Sequence, residues 1–429
     1  MSENGGFARH LRGRSRPSLV PVATPIVPDT QNDSHRMTAG ERRASVSLAA
    51  IFALRMLGLF LVLPVFALEA RRYPGGDDSA LVGLAMGVYG LTQALLQIPL
   101  GMASDRWGRK PVILLGLALF ALGSAIAAWA PSVQWLVAGR AIQGAGAISA
   151  AVTAFLADVT RDSVRTKAMA LVGISIALMF ALSLVLAPLL AAQIGLRGLC
   201  LVTLALALTG MAVVAWVVPP EPALPRPVGR GGLRQVLTNA GLLRLDFGVF
   251  VLHAVQLSMW MAVPALLVES GLAAPDHWQV YLPAVLISFL IMGGLLFRLE
   301  RKGHLRLVFL VAIGLILLVQ LGLLAMAQAP SLAGAALLLC LFFTGFNMLE
   351  ASQPSLVSRL APPAHRGAAL GVYNTLQSLG FFVGGAGGGW LVKTQGGLGV
   401  FVACAALSAL WLLIAWPMQA PAVAGPVRH

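Results

Sequence analysis

The run Gly101-Met102-Ala103-Ser104-Asp105-Arg106-Trp107-Gly108-Arg109-Lys110-Pro111 sets one acid and three cations between two long apolar stretches. Charges this dense beside apolar runs predict a tight turn at a membrane surface, which fixes how the flanking segments cross. Arg109 follows Asp105 by four residues, and Asp158 ends a further apolar run one loop away. Acid, cation and second acid can therefore form a short charge chain at one membrane face. Anchoring a turn would not by itself require Gly101 and Gly108, which permit close backbone approach.

Other chemistry-bearing residues lie inside the apolar runs. Arg55 and Arg140 each stand about nine residues into a run, near mid-membrane at 1.5 Å per residue. An isolated cation there costs at least about 2.5 kcal/mol on insertion scales, so each must face the protein interior and find acceptors. For Arg55 a structural role and an anion-attracting role both remain open. Glu350 is the most nearly intramembrane acid, because Asp246 and Glu269 fall at the ends of their run, and it is the first candidate for carrying a proton. His253, a side chain that titrates near neutrality, is the second. Polar and aromatic residues within the runs supply the material for a cavity: Arg55, Tyr89, Gln93, Gln97, Gln143, Gln256, Trp260, Asn347, Tyr373, Asn374 and Gln377. Amides and rings with little charge suit lipophilic cargo better than sugars, which need dense hydrogen bonding.

The elements that position these residues follow from composition. Of 429 residues, 58% are hydrophobic and 11% charged, whereas soluble domains carry roughly a quarter charged residues. Apolar runs long enough to cross a bilayer as helices recur at 45–68, 80–102, 111–129, 133–157, 167–192, 198–218, 243–268, 278–298, 305–327, 332–358, 367–392 and 397–417. The expectation is an all-α membrane protein of twelve transmembrane helices, with both termini on one side. Lys and Arg number 30. Only Arg71, Arg72, Arg197 and Lys393 fall in the loops of the opposite side, and Arg55 and Arg140 within spans, so the positive-inside rule places both termini in the cytoplasm.

Residues 1–36, rich in Arg, Pro and Ser, read as a disordered cytoplasmic tail, and Met37 is a conceivable true start. Residues 37–218 form a first six-helix bundle, 219–244 a Pro-rich cytoplasmic linker, 245–418 a second bundle and 419–429 a short cytoplasmic tail. The halves repeat weakly, with Asp105-Arg106-Trp107-Gly108 matched by Glu300-Arg301-Lys302-Gly303. Such duplication marks transporters whose substrate path runs between repeats. The net charge of +14 resides in the loops and tails, so no nucleic-acid partner is implied. Cys200, Cys340 and Cys404 lie in apolar runs without ligand spacing, so no metal or disulfide is expected. No Gly-x4-Gly-Lys-Ser/Thr loop is present, no cofactor is implied, and the spans lack an enzyme's cluster of nucleophile, base and acid.

Gly101-x3-Asp105-Arg106-x-Gly108-Arg109-Lys110 resembles motif A of the major facilitator superfamily, and Arg140-Ala-Ile-Gln143-Gly144-Ala-Gly146 resembles its motif B. Stretches such as Leu54-Arg55-Met56-Leu57-Gly58 and Gly90-Leu91-Thr92-Gln93-Ala94 resemble the YajR-type proton-driven drug exporters. The resemblance implies two six-helix bundles, alternating access, and a monomer in the bacterial inner membrane that exchanges a small molecule for protons. It implies that motif A, with Asp158, latches the first bundle against the start of span eleven near Arg366-Gly367-Ala368, and that Arg140 tunes a nearby acid. A structural hydrogen-bond hub is the other reading of Arg140. Two departures are notable. The antiporter signature expected in span five is reduced to Pro188 in Ala187-Pro188-Leu189-Leu190-Ala191-Ala192, and the soluble C-terminal domain of the YajR type is not expected here. Metabolite transport on the same fold and a non-transporting membrane sensor are the alternative readings.

Overall fold

A computed structural model describes residues 37–221, 233–296, 298–299, 304–362 and 365–418. The tails, most of the linker and the second-half copy at 300–303 lie outside the described residues.

The chain is built of helices: α1 (Ala39–Phe60), α2 (Leu63–Glu69), α3 (Ser79–Trp107), α4 (Arg109–Ala128), α5 (Val133–Ala145), α6 (Ser149–Asp158), α7 (Asp162–Ala212), α8 (Leu233–Leu237), α9 (Ala240–Glu269), α10 (Trp278–Ile291), α11 (Leu305–Met326), α12 (Leu332–Leu360) and α13 (Arg366–Ala415). Among the described residues they make ten segments long and apolar enough to cross a membrane, with α2 continuing α1 and α6 continuing α5. The 51-residue α7 and the 50-residue α13 each consist of two helices joined at a glycine, Gly195 (φ 63°) and Gly396 (φ 69°). These bends coincide with the breaks expected between 192 and 198 and between 392 and 397.

Helix starts follow side-chain capping. Thr38 and Glu41 form a reciprocal capping box at α1, while the Asp78 and Asn239 carboxylate and amide oxygens accept from the first free N–H groups of α3 and α9. Starting where Asp78 caps it, α3 runs 29 residues, about 44 Å, well beyond a hydrocarbon core about 30 Å thick. It therefore carries Gly101, Asp105 and Arg106 as helix rather than turn. The expected charged turn is a single residue, Gly108, whose φ of 104° only glycine adopts without strain.

The helices of 39–218 pack mainly on one another, as do those of 240–418. The two sets meet chiefly along α3 and α13, with smaller contacts of α2 on α9 and of α7 on α10. The α3–α13 seam is made of small residues. A methyl group at Gly83 would overlap the Gly385 carbonyl oxygen, and one at Gly87 would lie 2.6 Å from the Phe382 carbonyl oxygen. On its other face α13 meets α9 equally closely, where a methyl at Gly384 would overlap the Ala254 carbonyl. Backbones can approach this near only where side chains are absent.

Among the described residues the seam is closed at one end alone. Beyond Gly83, Lys393 Nζ donates to the Asp78 carboxylate at 2.8 Å and clasps the two sets together. At the opposite end Gly367 and Gly371 of α13 have no neighbouring atom within 4 Å of an added methyl, and Asp105 on α3 is 46% exposed.

Candidate functional site

At the open end, Arg109 is buried and gathers three partners. Its guanidinium pairs with Asp105, donates Nε to Asp158 at 3.0 Å and donates Nη1 to Ser104 Oγ at 2.7 Å. The acid–cation–acid chain expected from spacing is thus assembled. Helical periodicity puts Asp105 on the face of α3 that bears Gly83, Gly87 and Gly90, because 22 residues is close to six whole turns. Asp105 is therefore oriented toward the side on which α13 lies, across the open end of the seam. One partner was illegible in the sequence: Glu221 Oε1 accepts from Lys110 N at 2.6 Å, and Lys110 Nζ donates to the Val218 carbonyl at 2.7 Å. Glu221 sits in a Pro-rich stretch that reads as linker, and nothing in its surroundings signals a contact. Arg106 is exposed.

Two polar networks occupy the middle of the molecule. In the first set, Arg55 Nη2 donates to Tyr89 Oη at 2.7 Å and to Gln93 Oε1 at 3.2 Å, and the Arg140 guanidinium lies 4.9 Å over the Tyr89 ring. Arg140 also donates to Gln143 at 2.9 Å, and Gln143 to Ser124 at 2.8 Å. In the second set, His253 Nδ1 donates to the Val249 carbonyl at 2.9 Å, which leaves Nε2 to accept from Gln377 Nε2 at 2.8 Å. Gln377 also donates to Glu350 Oε1 at 3.3 Å. Gln93 Nε2 bridges the sets, donating to Ser378 Oγ at 3.2 Å.

Not every cavity candidate joins these networks. Asn347 donates to Ser288 at 2.7 Å, Trp260 packs edge-on to Tyr281, and Tyr373 donates to Gln353 at 3.5 Å. Gln97 and Gln256 are buried, and Asn374 is half-buried.

Burial orders the acids differently from position along the chain. Asp246, expected at a span end, is 3% exposed, and neither carboxylate oxygen has a protein partner. The Glu350 side chain, expected to be the most nearly intramembrane, is 38% exposed. Distance along a helix measures depth in the bilayer, whereas burial depends on which face the helix turns inward. The available signal was the recurrence of Asp246, His253 and Trp260 at seven-residue spacing, one face of α9.

Among the described residues no group of His, Cys, Asp or Glu could hold a metal. A cleft of about 490 Å³ opens at the surface beside Glu41, Asp158 and Arg161, but its polar groups bond one another, as in the pairing of Arg161 with Glu41 at 2.8 Å.

The clasp at the closed end should respond to pH. Its hydrogen bond to Lys393 holds the partly exposed Asp78 carboxyl below the ordinary carboxylate range, with its capping bonds adding to the effect. A depressed carboxyl contributes closure that is complete above its free-chain value and lost as pH falls through its lowered one. Spin-label distances across this end should stay short at neutral pH and lengthen only below about pH 4, the free Asp value. Asp78→Asn should abolish that dependence.

The sequence model of the Major Facilitator Superfamily matches residues 48–385. The chain belongs to that superfamily. It is 43% identical over 400 residues to the inner membrane transport protein YajR of Escherichia coli K12, covering 92% of this chain and 87% of YajR. It is 28% identical over 353 residues to the multidrug resistance protein MdtH of Aeromonas salmonicida, covering 80% of this chain and 86% of that one. Among solved structures, a D-xylose–proton symporter superposes with a TM-score of 0.71 at 17% identity, over 87% of this chain and 97% of the symporter, a likeness of fold alone. The protein is a multi-pass membrane transporter and not an enzyme.

Proposed function

We propose that the chain exports small lipophilic compounds in exchange for protons, by alternating access between two six-helix bundles, 37–218 and 245–418, that together cross the membrane twelve times. Counting α7 and α13 as two crossings each supports twelve, and the cation-rich loops support cytoplasmic termini. On that orientation the Asp78–Lys393 clasp closes the outer face and the motif A end opens to the cytoplasm.

One observation carries the reading: the α3–α13 seam is sealed at one end and parted at the other, the arrangement expected of repeats that rock around a central site. When the motion reverses, Asp105 meets the start of α13 near Arg366, where a helix N-terminus favours a carboxylate. Gly101, Asp105, Arg106, Gly108, Arg109, Lys110 and Asp158 then act as the inner latch. Proton exchange is assigned to Glu350, His253 and Gln377, with Arg140 and Arg55 in the opposite wall of the cavity. The relatives named multidrug resistance proteins support efflux.

The test is transport by the purified chain in proteoliposomes under an imposed pH gradient, against a panel of dyes and antibiotics. Gradient-dependent accumulation that collapses with a protonophore is the expected result. Flux of a panel compound that ignores the gradient would remove the proton coupling.

A further inference from the structure

We infer that the central cavity recognises an amphiphilic organic anion, a carboxylate- or sulfonate-type head on an apolar body. The inference deepens the transport reading and rests on it. Arg140 and Tyr89 border a narrow gap of about 10 Å³ together with Leu59, Met86, Leu257 and Phe381, which must widen to admit a ligand and whose wall is apolar except at these two groups.

Arg140 is 2% exposed, and its Nε finds no protein acceptor. Arg55 is 1% exposed, and its Nε and Nη1 find none either. Tyr89 couples the pair, its hydroxyl oxygen accepting from Arg55 while its ring face lies under Arg140. Two guanidinium groups thus share one phenol at mid-molecule with N–H groups left over.

Among the described side chains of the first half no acid pairs with them. Glu41 pairs with Arg161, Glu69 with Arg72, Asp78 with Lys393, and Asp105 and Asp158 with Arg109, all at the ends of helices. Asp77 is exposed in the loop before α3. In the second half Glu350 is engaged by Gln377 and faces His253, and the buried Asp246, seven residues before His253 on α9, bonds neither guanidinium. Buried cations are kept where something compensates them, and here the position left for the compensating charge is the cavity itself. The Gln93–Ser378 bridge places a further amide and hydroxyl beside it. A cationic cargo would meet two like charges in a medium that screens them weakly.

The test uses three probes with one ring: naphthalene-1-sulfonate, naphthalene-1-methanol and trimethyl(naphthalen-1-ylmethyl)ammonium. Saturable binding to the full chain in neutral maltoside micelles is measured by equilibrium dialysis against empty micelles. The sulfonate should bind at least roughly tenfold more tightly than the alcohol, the scale of one charge-assisted hydrogen bond, and the ammonium most weakly. Arg140→Gln should erase the preference while leaving alcohol binding, and Arg140→Lys should keep part of it. Ammonium binding as tight as sulfonate binding in the unaltered chain overturns the inference whatever the variants do, as does a preference that survives Arg140→Gln or no saturable binding of any probe. A sulfonate preference without gradient-driven flux upholds the anion site and removes the coupling instead.

Discussion

Gly83→Leu traps the transporter open at its Asp78–Lys393 end and reduces transport at least about tenfold without unfolding it. A methyl group alone at position 83 would overlap the Gly385 carbonyl, a backbone atom that cannot rotate aside, and a leucine adds three more carbons to the overlap. Overpacking a close-packed interface costs typically about 1–3 kcal/mol, and each 1.4 kcal/mol changes a population about tenfold. The penalty falls only on the state in which this end of α3 and α13 is closed. Within each set the packing is untouched, so detergent-solubilised protein should remain monodisperse. The check is cross-linking of the double variant Asp78→Cys/Lys393→Cys with and without the leucine, alongside vesicle transport. Cross-linking should drop in step with transport. Gly387→Ala supplies the control, since its added methyl meets nothing within 4 Å. If it impairs transport as strongly as Gly83→Leu, the effect belongs to helix flexibility and not to close approach.

The glycines of the seam were visible in the sequence as small surfaces, but their partners were not. Gly83, Gly87 and Gly90 recur at helical spacing, and Gly384–Gly389 form a cluster some 295 residues later. Nothing local says that one meets the other. Hydropathy located the long apolar helices well because lipid imposes it, residue by residue, on every exposed segment. It located helix ends less well, and motif A is the instructive failure. The apolar run stops near Met102, whereas α3 continues to Trp107, because backbone hydrogen bonding does not end where the hydrocarbon does.

Asp246 shows the complementary limit. Its position in the run describes depth, yet both carboxylate oxygens are shielded by protein rather than lipid. Arg55 and Arg140 were legible as interior residues, since a mid-membrane cation has nowhere else to go. That they share Tyr89 was not, because it depends on the mutual rotation of three helices.

Glu350→Gln abolishes the proton release that accompanies ligand binding while leaving the ligand bound. The Nδ1–H of His253 is committed to the Val249 carbonyl, so its Nε2 carries a lone pair. Glu350 Oε2 lies 3.4 Å from that nitrogen and has no hydrogen-bond partner. Two lone pairs facing each other at this distance repel, and one proton between them, on the carboxyl or on the imidazole, turns repulsion into attraction. Gln377 completes the switch. Its amide donates to His253 Nε2 at 2.8 Å only while that nitrogen is bare, and to Glu350 Oε1 at 3.3 Å. Protonating His253 must displace the amide, and Gln377 sits on α13, one residue from Ser378 and its bridge to Gln93 of α3. On the proposed exchange, the proton would thereby be tied to the pair α3 and α13. Glutamine at 350 keeps the size and one hydrogen bond but cannot exchange a proton. In weakly buffered solution, ligand addition should acidify the medium with the unaltered chain and leave it unchanged with Glu350→Gln, while dialysis shows comparable binding. Asp246→Asn is the decisive companion. Should it silence the proton signal while Glu350→Gln preserves it, the exchanging acid is the buried one on α9, and the pair of Glu350 and His253 is reduced to a structural hydrogen-bond relay.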